Sequence, residues 1–291
     1  MGPSKPNRPF TPRDRVLTAI HQGRTDRIPK GELCIEDGVI RKELGLEKVG
    51  FEERYEFVNR LGLDIMCMNP VYPASKGGLP DAGELVWPDL EAWVHRSGLF
   101  TFALLDGAFG WGIKIFGFKA FLLLPVRDPG LLQEFIRGVE ELNIRVAAML
   151  IDQGVDGLII AEDIAYRGGL LAGPEIVRRH FLPSLARQVG EMARGDRPIF
   201  FHSDGNLTEV MSDLVDMGFK GLHCIDRHSG MDISDLKHRY GEALCFWGTL
   251  AVEDVARSGD PSYREGLVEG LLSIGPNGGF IAGTTSGLFE G

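Results

Sequence analysis

The sequence predicts an α/β fold, a single (β/α)8 TIM-type barrel in which parallel strands alternate with helices. The chain has 291 residues, enough for one large α/β domain. Short apolar runs alternate with turn residues and then with stretches of helical period, the pattern of a parallel sheet. Eight such runs can be counted, which favours closure into a barrel over an open, doubly wound sheet.

The runs cover residues 31–36, 64–69, 101–106, 157–162, 198–203, 221–225, 243–248 and 279–284. Leu158-Ile159-Ile160-Ala161 and Ile199-Phe200-Phe201 are continuously apolar, as strands buried on both faces must be. Between them lie helices with their own start signals. Thr11-Pro12-Arg13-Asp14 offers an N-cap, a proline at the first helical position and an acid in the first turn, and Gly23 ends that helix. Asp128-Pro129 opens a second, with Leu132, Phe135, Ile136, Val139, Leu142, Val146 and Met149 at helical spacing. Gly173-Pro174-Glu175 opens a third running towards Gly195, with a kink expected at Pro183. After the last strand only Ser286-Gly287-Leu288-Phe289-Glu290-Gly291 remain. The last helix is therefore expected to be missing, with a cut chain or a partner chain, such as a second copy in a homodimer, accounting for that side.

Composition narrows the function classes. Hydrophobic residues make up 44% of the chain and charged residues 25%, so a globular core is within reach. A net charge of −10 and scattered basic residues argue against nucleic acid or an anionic membrane as partner. Residues 1–10 are rich in Pro, Lys and Arg without an apolar stretch and are expected to form a flexible arm ahead of a barrel over 11–291. No apolar run reaches the roughly 18 to 20 residues that span a bilayer. Cys34, Cys67, Cys224 and Cys245 form no CxxC pair, which points to a reduced, cytoplasmic protein.

In a parallel barrel the reactive face is built from the carboxyl ends of the strands. Those ends carry Glu32 and Glu36, Asn69, Asp106, Glu162 and Asp163, His202 and Asp204, His223 and Asp226, and Thr284, Thr285 and Ser286, a polar list that points to an enzyme. Phe201-His202-Ser203-Asp204-Gly205 is the sharpest stretch. Side chains two apart on a strand point the same way, so His202 and Asp204 can converge on one ion or substrate, or instead bond the backbone and cap a helix. Glu162 and Asp163 should face opposite ways, one lining the site and one anchoring a loop. Glu32 and Glu36 share a strand face with Cys34 and are further candidates for ligating a metal or binding a cation, the alternative being solvated loop acids. Residues 106–112 are rich in glycine but lack the spacing of a nucleotide loop, so Asp106 is read as a substrate contact and Phe109 and Trp111 as a flat wall for a planar ligand.

These residues carry a resemblance. Arg13-Asp14-Arg15-Val16-Leu17 through Asp26-Arg27-Ile28-Pro29 resembles the opening of the uroporphyrinogen-decarboxylase superfamily. Leu61-Gly62-Leu63-Asp64, Asp106-Gly107-Ala108-Phe109, Glu162-Asp163-Ile164 and Gly278-Gly279-Phe280-Ile281 are similar to its later landmarks, in order and over nearly the whole chain. The resemblance implies the barrel fold and either a cofactor-free decarboxylase or a methyltransferase working with a corrinoid protein. Where the decarboxylases carry an arginine-rich clamp, Gly31-Glu32-Leu33-Cys34-Ile35-Glu36-Asp37-Gly38 is acidic, and where they carry an acid after the second strand, Met68-Asn69-Pro70-Val71 has none. The methyltransferase branch is closer. Its zinc histidine falls on His202, while its two cysteines fall on Asp204 and on the Thr284-Thr285-Ser286 stretch. The resemblance thus implies methyl transfer from a methoxylated aromatic or similar small molecule (O-demethylation) to the corrinoid of a partner protein, with Zn²⁺ on His202, Asp204 and Glu162, which are also the expected catalytic residues. Glu32, Asn69, Asp106, Phe109, Trp111 and Asp163 are the expected substrate contacts. The alternatives are a divergent decarboxylase and a non-catalytic tetrapyrrole- or corrinoid-binding protein.

Overall fold

The structure is a computed structural model that describes residues 8–73, 77–194, 196–275 and 277–290. Most of the expected amino-terminal arm, residues 1–7, lies outside the described residues. Among the described residues, seven parallel strands form one curled sheet: β1 (Ile65–Met68), β2 (Phe100–Asp106), β3 (Gly157–Ala161), β6 (Ile199–His202), β7 (Gly221–Ile225), β8 (Cys245–Leu250) and β9 (Phe280–Thr284). Their order in the sheet is their order in the chain, as the barrel predicted from sequence requires. A two-residue-per-strand hairpin, β4 (Ala165–Tyr166) with β5 (Gly169–Leu170), is inserted after β3.

The first of the eight expected strands, residues 31–36, is not a regular strand. Its place between β9 and β1 is taken by the short segment around Lys30. Asp64 N–H donates to the Lys30 carbonyl on one side, and Gly31 N–H donates to the Ala282 carbonyl on the other. Pro29 has no N–H to offer a ladder, so pairing is confined to single bridges. Further on, Ile35 bridges Leu288, so the stretch after β9 runs alongside residues 34–36.

Alternation along the strands sorts the side chains into two cores. Facing into the barrel are Ile65, Cys67, Phe100, Phe102, Leu104, Ile159, Ala161, Phe200, Cys245, Trp247 and Ile281. The Phe102, Phe200 and Trp247 rings pack against one another there. Trp247 Nε1–H donates to the Gly31 carbonyl at 3.0 Å, and a Cβ at Gly283 would stand 2.1 Å from that oxygen, so only glycine fits. Facing outward against the helices are Ala103, Leu105, Leu158, Ile160, Phe201, Leu222 and Phe246.

The amino-terminal end of the barrel is locked by charge. Asp64 is fully buried and accepts from Arg15 at 2.6 Å, Arg27 at 2.7 Å and the Lys30 N–H at 2.9 Å. Asp26 holds Arg15 from the other side at 2.6 Å. The opening motif of the chain is thus a clasp that fastens the closing segment to the start of β1.

The helices follow their signals with two corrections. The helix Pro12–Ile20 has the Thr11–Asp14 capping box, and the helix Pro129–Asp152 starts from the Asp128 cap, although Met149 is 44% exposed and its neighbour Leu150 is the buried one. Residues 174–192 form two helices, Pro174–His180 and Leu182–Met192, because Pro183 begins the second instead of kinking one long helix. Among the described residues no single helix is long and apolar enough to cross a membrane. All four cysteines are free thiols.

Candidate active site at the carboxyl end of the barrel

The same alternation decides which polar residues enter the barrel mouth. Residues in phase with Phe200 and Ala161 point inward, which brings His202 and Asp163 towards the axis. His223, in register with both His202 and Trp247, joins them. Glu162, in phase with the outward Leu158 and Ile160, points away.

His202 Nδ1 lies 2.8 Å from His223 Nδ1. His223 is fully buried, and its Nε2 faces the Thr284 carbonyl at 3.4 Å. A carbonyl only accepts, so His223 carries its proton on Nε2 and presents a lone pair at Nδ1. His202 must therefore donate Nδ1–H, which leaves its Nε2 as the position where a proton comes and goes. Burial holds the His223 imidazole well below the usual histidine range, so it stays neutral and keeps this tautomer fixed. His202 Nε2 in turn stands 3.5 Å from the Asp163 carboxylate, which is largely exposed. Asp163 turns the chain out of β3 with a left-handed φ of +44°, a conformation that Asp tolerates better than most residues. Its Oδ1 also accepts from the Asp204 N–H at 3.3 Å.

Asp204 itself lies beyond the end of β6, so it does not share a strand face with His202 as expected. Its Oδ1 accepts from the Cys224 thiol at 3.2 Å. Gly205 follows with a φ of +88°, and a Cβ there would meet the Tyr166 backbone nitrogen at 2.5 Å, which ties this turn to the β4–β5 hairpin.

Glu162 is 1% exposed and accepts from the N–H groups of Ala108 and Phe109 at 3.1 and 2.9 Å, at the start of the helix Ala108–Phe116. It anchors that helix and takes no part in the mouth, so its expected roles as catalytic residue and metal ligand are corrected. Burial pushes its carboxyl up to about 7 against 4.5 for the free side chain. The raised value means that the folded chain keeps a proton where the unfolded chain has lost it. The stability this proton contributes is present below about pH 4.5 and is lost as pH rises through about 7. The free energy of unfolding of Glu162→Gln minus that of wild type should therefore rise by about 3 kcal/mol between those limits. A difference that stays flat across a pH series of denaturant unfolding would contradict the assignment.

Glu32 accepts from the Thr284 N–H at 3.2 Å and contacts the Thr284 hydroxyl, and burial pushes its carboxyl up to about 7 as well. Through Thr284 it joins the histidine pair, because the Thr284 carbonyl is the group that His223 faces. Asp106 accepts the Tyr72 hydroxyl at 2.6 Å and contacts the Lys114 ammonium, which sits 3.8 Å above the Tyr72 ring. Trp111 meets that ring edge-on at 5.1 Å. Asn69 is spent on the Leu33 carbonyl at 3.0 Å and lines a separate cavity of about 160 Å³ with Cys34 and Cys67. Phe109 is fully buried against Phe121 and Phe181, so it is core and not a ligand wall. It lies in the first turn of the helix Ala108–Phe116, on the face that packs into the core.

The expected zinc set of His202, Asp204 and Glu162 is not brought together, since Glu162 points outward and Asp204 engages Cys224. Among the described residues no three His, Cys, Asp or Glu side chains converge where an ion would sit. The residues present do not fit a zinc centre. His223, Thr284 and Cys224 are central here; the first two are among the polar strand ends expected at the reactive face but have no expected role, and Cys224 is not expected there. His223 and Thr284 could have been found by placing equivalent ends of neighbouring parallel strands in one layer.

The architecture is a closed parallel barrel with its polar cluster at the carboxyl mouth. The chain belongs to the uroporphyrinogen decarboxylase (URO-D) family, whose profile matches residues 109–290. Among solved structures, a methyltransferase from Methanosarcina mazei is similar over 96% of this chain and 94% of its own, with 15% identity and a TM-score of 0.74. A putative vitamin-B12 independent methionine synthase from Listeria monocytogenes is similar over 90% of this chain and 92% of its own, with 11% identity and a TM-score of 0.50. At such identities the likeness is one of fold. No curated protein matches the chain significantly.

Proposed function

We propose that this chain is a methyltransferase that takes a methyl group from a small methylated substrate, such as a methoxylated aromatic, and passes it to the corrinoid of a separate protein. The observation that carries this reading is His202 Nε2, the single proton-exchanging position of a fixed histidine pair, aimed at the mouth beside Asp163. Breaking an O–CH3 bond leaves the electron pair on oxygen, and an alkoxide or phenoxide leaves poorly unless that charge is neutralised. His202 Nε2–H gives the proton to that oxygen, and the corrinoid supplies the pair that bonds the methyl carbon. Asp163 stabilises the imidazolium before transfer, and the neutral His223 holds the ring in place. The fold shared with a methyltransferase agrees with this chemistry.

The decarboxylase alternative is tested directly. Where the decarboxylases carry an arginine-rich clamp, residues 31–38 offer Glu32, Glu36 and Asp37 and no arginine, so the cations that a polycarboxylate needs are not supplied by this segment. Incubation with uroporphyrinogen should yield no coproporphyrinogen above background. A panel of methoxylated aromatics supplied with reduced cobalamin should instead show methylation of the cobalamin with at least one member. Turnover of uroporphyrinogen together with silence across the panel would reverse the proposal.

A further inference from the structure

The turn of the β4–β5 hairpin and the segments that follow β7, β8 and β9 line an open cavity of about 600 Å³, separate from the histidine pair. Three guanidinium groups, Arg167, Arg227 and Arg257, stand around it, with Tyr263 and Thr285 between them. On a chain of net charge −10 this is an unusual concentration.

The acids that line the same cavity are mostly committed elsewhere. Asp254 is 1% exposed and accepts from Arg227 at 2.7 Å and from the Tyr263 hydroxyl at 2.6 Å. Asp226 has turned its oxygens to its own loop, accepting from the His228 N–H at 2.8 Å and the Ser229 hydroxyl at 2.7 Å. Arg167 is anchored through Nε to the His228 carbonyl at 2.7 Å, and Arg257 lies 3.9 Å over the Tyr263 ring. Neither has a carboxylate partner among the described residues. Glu253 is exposed and is the remaining lining acid, so the two guanidinium groups outweigh it. An arginine fixed at Nε or by stacking presents its terminal nitrogens as a fork, the shape that a carboxylate or phosphate fills with paired hydrogen bonds.

We propose that this cavity binds an anionic group, carboxylate or phosphate, of the substrate whose leaving oxygen takes the proton of His202. Thr285 lines the cavity, and Thr284 beside it faces His223 and Glu32, so the two sites meet along the end of β9. The inference rests on the proposed methyl transfer for the identity of the ligand but not for the existence of the anion site.

The test is calorimetric titration of the full chain with sodium benzoate and, separately, with inorganic phosphate, each at constant ionic strength in chloride. Wild type is compared with Arg167→Ala, Arg257→Ala and, as a control, Arg187→Ala, whose side chain pairs with Glu140 on the outer helices. One or both anions should bind saturably. Arg167→Ala and Arg257→Ala should each weaken binding about tenfold or more, and Arg187→Ala should leave it unchanged. Saturation by benzoate alone identifies a carboxylate, and saturation by phosphate alone a phosphate ester. If neither anion saturates, or if Arg167→Ala and Arg257→Ala bind as wild type, the proposal is wrong. No methyl donor or corrinoid is present, so the titration reports on the anion site alone: saturable binding leaves this site standing even where the cobalamin-methylation assay described above fails, and absent binding overturns this site without touching that assay.

Discussion

Asp64→Ala is expected to lower the stability of the chain by about 3 kcal/mol, the lower end of the penalty for removing one partner of a buried ion pair, because Arg15 keeps Asp26. Asp64 is fully buried, while Arg15 is 6% exposed and has Asp64 and Asp26 as its carboxylate partners. Removing the carboxylate leaves the buried Arg15 guanidinium with Asp26 as its remaining carboxylate partner and the Lys30 N–H without its acceptor. That N–H belongs to the segment that closes the barrel between β9 and β1, so the loss is structural as well as electrostatic. Thermal unfolding should show a fall on the order of 10 °C in Tm. Asp64→Asn should fall between the two, since it keeps an acceptor and loses the charge. A wild-type melting curve for Asp64→Ala would mean that the clasp does not hold the barrel closed.

His202→Ala is expected to slow methyl transfer by about 10²- to 10⁴-fold, the usual contribution of a positioned proton donor. The loss should fall on kcat, because the proton moves only as the bond breaks. Asp163→Asn should have a smaller effect in the same direction, as it weakens the charge that supports the imidazolium without removing the donor. Initial rates of cobalamin methylation measured over a range of substrate concentration separate these cases. A His202→Ala enzyme with unchanged kcat would move the proton donor elsewhere, Glu32 being the raised carboxyl that joins the histidine pair through Thr284.

Much of the fold is legible in the sequence, because parallel strands buried on both faces must be short apolar runs. Seven of the expected runs coincide with strands of the sheet. The eighth failed because residues 31–36 follow Pro29 and pair only through single bridges, which composition does not reveal. The site was legible in part. His202 and Asp163 could be placed at strand ends, and the opposed directions of Glu162 and Asp163 follow from alternation alone. Which of the two faced inward depended on the phase of β3 against its neighbours, and that phase is a property of the packed barrel. Phe109 was misread for a related reason. A glycine-rich stretch reads as a loop, whereas here Gly107 begins a helix whose first turn is capped by a carboxylate 53 residues away, Glu162 on Phe109 N–H. The histidine pair needs two strands in register, His202 beside His223, and no local pattern announces it.

The central claim is that a methyl group passes intact from a small substrate to a corrinoid at the carboxyl mouth of this barrel. It is tested most directly by supplying the purified protein with a methoxylated aromatic acid whose methyl carries deuterium, together with reduced cobalamin, and weighing both products. The account predicts cobalamin that has gained the fully deuterated methyl and an aromatic that has lost it, in equal amounts, with both signals collapsing in His202→Ala. Unlabelled cobalamin beside an untouched substrate, or label transfer that His202→Ala leaves unchanged, would contradict it.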